Sequence, residues 1–179
     1  SIIDPEDRSN QPFRYKNLIL SFNGEIYNYL DLKEKMKLKG YKFETTSDTE
    51  LIIKLFSEYK EESFKLLSGI FTISIYDTIK KKISLIRDIV GVKPLYYYFN
   101  IREKKFFFSS LIKPLLLSIE NKKLNLNSII SYSNFNRNDF CETYFKDIFK
   151  VKPGELITFE NDKLLKKKFL EFNFKKDIN

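Results

Sequence analysis

Asn23-Gly24-Glu25 and Ser47-Asp48-Thr49-Glu50 are the places in this chain where side chains able to do chemistry stand together. Asn23 offers an amide donor, Gly24 lets a substrate come close to its backbone N–H, and Glu25 is a fixed negative charge. Two such donors suit a developing oxyanion, and the carboxylate beside them suits an amino group. An Asn-Gly pair behind a short apolar run is also an ordinary turn signal. The continuation Glu25-Ile26-Tyr27-Asn28 carries more polar and amphipathic groups than a turn requires. Asp48 is a second carboxylate, and directly behind Ser47 it also reads as a helix cap or first-turn acid; the two roles are compatible.

These residues need elements to hold them. Leu18, Ile19, Leu20 and Phe22 predict a buried strand over 17–22 that enters the Asn-Gly turn. Apolar residues at 29, 32, 36 and 38 predict a helix from Tyr29 to Lys39 that stops at Gly40. Ser47 and Glu50, three apart ahead of an apolar run, form a capping-box pattern. The helix behind it runs over Asp48–Tyr59, with Leu51, Ile52, Leu55 and Phe56 on one face. Ser63–Leu67 predicts a short helical turn closing at Gly69. Ile70–Tyr76 and Lys82–Arg87 predict a hairpin, Leu95–Phe99 and Lys105–Ser110 a further pair, and Ile112–Ser118 a short helix. Such a mixture suits a layered α+β sandwich. After Ser118 the texture turns polar and, over Asn134–Asp139, turn-rich. Gly154–Phe159 and Lys163–Phe169 can pair across Glu160-Asn161-Asp162.

Composition removes several classes of function. A chain of 179 residues with 42% hydrophobic content can bury one substantial core. Its longest apolar run, around Leu115–Leu117, is far short of a spanning helix, and no signal-peptide pattern is present, so a cytoplasmic location without a membrane partner is expected. The single cysteine, Cys141, excludes a disulfide framework. The absence of histidine removes Cys-His and Ser-His-Asp mechanisms and most zinc sites, so no metal site is expected. A net charge of +8 invites nucleic-acid binding. The lysines are spread along the chain, however, and the clusters at Lys80–Lys82 and Lys166–Lys168 lack interleaved aromatics and glycines. A solvated lysine-rich surface is the better reading, with no nucleic-acid partner. Arg87 and Asp88 read as a buried pair or loop anchor, Pro94 as a rigid turn, and Tyr96–Tyr98 as core aromatics.

In order along the chain, Asn23–Asn28, Ser47-Asp48-Thr49-Glu50, Gly69-Ile70-Phe71, Arg87-Asp88 and Gly91-Val92-Lys93-Pro94-Leu95-Tyr96-Tyr97 resemble class II glutamine amidotransferase domains. Ser1-Ile2-Ile3-Asp4 and Gln11-Pro12-Phe13 fit as well. The resemblance is nearest to the N-terminal glutaminase domain of glutamine-hydrolysing asparagine synthetases. It is strong over residues 1–117 and weak to Phe169, through Lys152-Pro153-Gly154. It implies the four-layer αββα sandwich of the N-terminal nucleophile hydrolases. It also implies a partial amidotransferase domain over 1–117, with the end of that domain and a linker over 118–179. The implied substrate is L-glutamine, in a pocket of Ile2, Ile3, Asn23, Gly24, Glu25 and Asp48. In that pocket the Asn23 side chain and Gly24 N–H form the oxyanion hole, and Glu25 and Asp48 bind the amino end. The implied partner is a C-terminal synthetase domain, absent here, that uses ATP and Mg2+ to amidate aspartate to asparagine. No cofactor is implied in this domain, and a homodimer is allowed.

The family's nucleophile is an N-terminal cysteine whose own α-amine is the general base. Relative to the family, the chain is expected to be a fragment without that segment and without the arginine that binds the glutamine carboxylate. Cys141 lies far beyond the motifs, and Ser1 aligns with an internal strand, so neither stands in for the nucleophile. The 179 residues alone are therefore expected to be inactive. Class II branches acting on sugars or other carboxylates share these motifs and stay open. So does a non-hydrolysing domain that supports a synthetase partner, although the retained Asn23, Glu25 and Asp48 argue against it.

Overall fold

The structure, a computed structural model, describes residues 10–135 and 141–171. Alternating apolar residues build a six-stranded antiparallel sheet from β1 (Phe13–Tyr15), β2 (Leu18–Ile26), β3 (Gly69–Asp77), β4 (Lys82–Arg87), β8 (Glu155–Glu160) and β9 (Lys163–Lys168), in the order β1-β2-β3-β4-β8-β9. A smaller antiparallel sheet has the order β6-β5-β7, from β5 (Tyr96–Asn100), β6 (Lys105–Ser109) and β7 (Ile148–Lys150). The helices are α1 (Tyr29–Leu38), α2 (Asp48–Tyr59), α3 (Ile112–Ser118) and α4 (Leu126–Phe135), with a 3₁₀ helix over Lys60–Leu66.

Each sheet face has a different partner. Leu18, Leu20, Phe71, Ile73, Ile75, Ile86 and Leu156 bury one face of the large sheet under Leu32 and Met36 of α1 and Leu51, Ile52 and Leu55 of α2. From its other face Leu85 and Ile157 pack on Leu95, Tyr97 and Val151, joined by half-buried Phe106, Phe108 and Phe149. Phe106 stacks on Phe159 there, with 4.8 Å between ring centroids. The outer face of the small sheet places Tyr98 and Ile148 against Leu115 and Ile119. The layers are α, β, β, α, the α+β sandwich that the resemblance implies.

Several elements fall where local signals put them. β4 and α3 have the predicted bounds. α1 buries Tyr29, Leu32 and Met36 but leaves Leu38 exposed, and Gly40, at φ 89°, ends it with its N–H on the Lys37 carbonyl. β8 and β9 pair from Glu160↔Lys163, with Asn161 and Asp162 both at positive φ in the turn, as an Asn-Asp pair readily adopts. Three features differ from the sequence reading. β2 runs straight through Asn23-Gly24 to Ile26, so no turn forms there. α2 is buried on every side from Asp48 to Phe56, not on one face, because β1, β2, α1 and the 3₁₀ helix all pack against it. α4 occupies a stretch rich in Asn and Ser that carries no helix signal; Asn125 starts it by accepting the Ser128 N–H through Oδ1 at 3.3 Å. Residues 136–140 of the turn-rich stretch lie outside the described residues.

Candidate functional site

The geometry of the site begins with two glycines on neighbouring strands, Gly24 opposite Phe71 and Gly69 opposite Ile26. Gly24 has φ +149°, and a Cβ there would lie 2.0 Å from the Ile70 carbonyl oxygen and 2.6 Å from Phe71 Cα. A Cβ on Gly69 would lie 2.1 Å from the Glu25 carbonyl oxygen. Both glycines let the strands close at Glu25↔Ile70 and Ile26↔Gly69. The sequence reading gives the missing Gly24 side chain to an approaching substrate; in the structure β3 takes that space. Asn28, at the end of the same motif, is a clip. Its Nδ2 donates to the Leu66 carbonyl at 2.8 Å and its Oδ1 accepts the Ser68 N–H at 3.0 Å.

Strand alternation sets Asn23 and Glu25 on one face of β2, and both are exposed. Asn23 lines a cavity of about 250 Å³ between the two sheets, together with Ser21, Thr72, Ser74, Ser109 and Ser110. Thr72 stands directly opposite Asn23 on β3. Phe22, Ile73, Leu95 and Phe108 line it too, so the cavity is largely apolar, with the Asn23 carboxamide and a few hydroxyls as its polar groups.

Asp48 reaches the same end of β2 from the helix layer. Ser47 is the N-cap of α2, its hydroxyl accepting the Thr49 N–H at 3.1 Å. The Asp48 carboxylate is buried, and the nearby backbone N–H groups of Thr49, Ile26 and Asp48 itself favour its charged form. Burial pushes its pKa up from the ordinary 3.8, the charge of Glu25 pushes the same way, and the three N–H groups offset only part of this. The strand end and the helix start therefore bring two carboxylates together. Among the described residues neither Glu25 nor Asp48 has an ion-pair partner. A small cation between them would relieve both the burial and the repulsion.

The capping box forms only by half. Ser47 caps as expected, but Glu50 passes over the Ser47 N–H and accepts instead from Glu44 N and Thr45 N, at 3.0 and 2.7 Å. The Ser47 N–H goes to Thr45 Oγ1 at 3.2 Å. Arg87 and Asp88 are loop anchors without a mutual ion pair. Buried Arg87 donates to the carbonyls of Lys93 at 2.7 Å, Val151 at 2.9 Å and Gly91. Burial lowers its pKa and the neighbouring Asp88 charge offsets part of that. Asp88 accepts the N–H groups of Phe71, Val90 and Gly91, so it also steadies the residue paired with Gly24. Tyr97 and Tyr98 are core residues. Half-buried Cys141 lies beside β7, its carbonyl accepting the Lys150 N–H. Ser1, Ile2 and Ile3 lie outside the described residues.

The approach of Asp48 to the backbone of Ile26 leaves no trace in a side-chain pattern. Thr72 and Ser74 do: they alternate with Phe71, Ile73 and Ile75, the period of a strand with one apolar and one hydroxyl face.

Comparison with known proteins places the chain in a family. A family model described as a glutamine amidotransferase domain matches residues 1–170. Asparagine synthetase [glutamine-hydrolyzing] 1 of Bacillus subtilis (strain 168) is 34% identical over 178 residues, covering 98% of this chain and 28% of that protein. Putative asparagine synthetase [glutamine-hydrolyzing] 2 of Methanocaldococcus jannaschii is 35% identical over 182 residues, covering 91% and 34%. The chain thus spans about a third of the length of these relatives. Among solved structures, a glutamine phosphoribosylpyrophosphate amidotransferase from B. subtilis superposes with a TM-score of 0.62 at 19% identity, over 91% of this chain and 32% of that one, a likeness of fold. No helix among the described residues is long and apolar enough to cross a membrane.

Proposed function

The chain belongs to the glutamine amidotransferase domain family, and on that premise we propose that the corner between β2 and α2 binds L-glutamine for hydrolysis of its side-chain amide to ammonia. The observation that carries this reading is the buried Asp48 carboxylate lying within reach of the Glu25 charge, neither having a cationic partner among the described residues. The α-ammonium of glutamine supplies that cation, and a bond from an ammonium to a carboxylate is of the strong, charge-assisted kind. With the amino end held there, the carboxamide extends along β2 toward Asn23. The Asn23 amide and the Gly24 N–H then stabilise the oxyanion that forms when a thiolate attacks the amide carbon. Loss of one such donor typically removes about 2.7–4 kcal/mol of transition-state stabilisation. Ile2 and Ile3 complete the pocket in this proposal.

The attacking thiolate is not assigned to Cys141, which belongs to the β7 side of the small sheet, and the chain has no histidine to activate a serine of the cavity. The identity with glutamine-hydrolysing asparagine synthetases supports an ATP-dependent, asparagine-forming domain as the destination of the ammonia.

The test is Asp48→Asn in the full-length protein, assayed with glutamine and with free ammonia as alternative nitrogen sources. Asn caps a helix as well as Asp does, so the substitution removes charge and little else. The glutamine KM is expected to rise about tenfold, the effect of about 1.4 kcal/mol of lost binding, while ammonia-dependent synthesis stays at the parent level. A glutamine KM equal to the parent's rejects the binding role.

A further inference from the structure

The charge pair buried within α2 lies outside the glutamine site, yet hydrogen bonds join it to Ser47 and Thr49, the neighbours of Asp48. Glu50 and Lys54 are both buried and are ion-paired one helical turn apart. Besides the N–H groups of Glu44 and Thr45, the Glu50 carboxylate accepts the Thr45 hydroxyl at 2.8 Å. Lys54 also donates to the Lys42 carbonyl. Thr45 Oγ1 accepts the Ser47 N–H, and Ser47 Oγ accepts the Thr49 N–H, which brackets Asp48. From α1, Lys33 donates to the Thr45 carbonyl at 2.9 Å. Residues 42–47 form neither helix nor strand, and these bonds hold them together with Phe43, which packs on the core under Lys33 and Lys54.

A cap needs one side-chain oxygen on one N–H. A buried carboxylate with three donors and a cation is far more than capping requires. It is also an expensive arrangement to keep, since a buried pair is often replaceable by apolar residues at no loss of stability. What such a pair supplies is direction: it fixes where the segment lies.

We propose that the Glu50–Lys54 pair is the positioning device of the ammonium subsite, holding residues 42–47 so that Ser47 caps α2 and the Asp48 carboxylate keeps its place at the helix start against β2. This rests on Asp48 binding the glutamine ammonium. Glu50 and Lys54 are positioning residues and touch no substrate; they act through Thr45 and Ser47.

A double-mutant cycle in the full-length protein tests the proposal, with glutamine KM, kcat and the ammonia-dependent rate as readouts. Glu50→Gln is expected to raise the glutamine KM about tenfold, within the range for residues sharing one network. Its kcat on glutamine should stay within about twofold and its ammonia-dependent rate should not change. In an Asp48→Asn background the same substitution should raise KM no further, because Asp48 is the route of its effect. Equal KM increases in both backgrounds, or a parallel loss with both nitrogen sources, overturn the positioning role and leave the glutamine site standing. An unchanged KM in Asp48→Asn alone overturns the site, and the positioning role with it. If Glu50→Gln does not fold, Thr45→Val deletes only the Oγ1 joint. A glutamine-specific KM increase of about threefold is then expected, and no increase overturns the proposal.

Discussion

Asp48 and Glu50 share the first turn of α2 and are equally buried, yet the corner on the β2 side and the loop side of that turn treat a carboxylate in opposite ways. On the loop side burial pushes Glu50 upward, but Lys54, the Glu44 and Thr45 N–H groups and the Thr45 hydroxyl outweigh it, and its pKa falls below the ordinary 4.5. On the β2 side burial and Glu25 prevail, and the pKa of Asp48 rises. The difference teaches how to tell a structural acid from a binding one by its partners. A carboxylate that the fold has satisfied contributes to the fold; one left with like charge beside it is kept at a cost to stability, which under the proposed function is the cost of a ligand site.

The largest expected effect breaks the corner itself. Gly24→Ala puts a methyl group 2.0 Å from the Ile70 carbonyl oxygen, where backbone on both strands must shift. A loss above about 4 kcal/mol is expected, the range reserved for severe strain or overpacking, read as a fall in the urea midpoint or failure to fold. A loss below about 1 kcal/mol would show that the strands can part there, and that the corner is not rigid. Lys54→Met breaks the loop side instead, leaving Glu50 charged and unpaired, and should cost about 3–5 kcal/mol. Adding Glu50→Gln should recover much of that loss, because the uncompensated charge goes with it. If the double variant is less stable than the single, the cost lay in the packing of the lysine stem rather than in the charge.

The smallest effect sharpens the contrast most. Asp48→Asn should change stability by less than about 1 kcal/mol near neutral pH, with either sign, whereas Glu50→Gln should destabilise. The pH dependences run opposite ways. Asp48 has a raised folded pKa, so its contribution is full below the ordinary 3.8 and is lost as pH rises through the folded value. Glu50 has a lowered one, so its contribution is present above 4.5 and is lost as pH falls through the folded value. Unfolding free energies measured across acid pH should therefore lose a decline above 3.8 in Asp48→Asn, and a decline below 4.5 in Glu50→Gln. Identical pH profiles for the two variants would erase the distinction drawn between the acids.

What the sequence discloses follows the range of the interactions involved. β4, α2 and α3 are legible because alternation, a Ser47 cap and flanking turns act within a few residues. The layered α+β class is legible for the same reason. The turn predicted at Asn23-Gly24 does not form because β3, far along the chain, supplies a partner whose backbone fits only against glycine. Glu50 matches the capping box by spacing, yet the loop ahead of Ser47 offers it two nearer N–H groups, and that loop's path is not written in any local pattern. Asn23, Glu25 and Asp48 can be named from residue types and resemblance. That Asp48 comes within reach of Ile26 and the Glu25 charge is a property of tertiary structure.

The place of β8 has a consequence for the order of assembly during synthesis. β4 ends at Arg87, but the strand that covers its free edge begins only at Glu155. A nascent chain therefore carries the Ile83–Ile86 edge unpaired while the whole small sheet and α3 and α4 emerge, a pairing distant in sequence and correspondingly slow to form. Such an edge is an invitation to other chains. When β8 arrives, the tight turn at Asn161-Asp162 brings β9 with it, and β9 offers Lys163, Lys166, Lys167 and Lys168 as the new boundary of the sheet. The hairpin thus closes an aggregation-prone margin and replaces it with a repulsive one in a single late event.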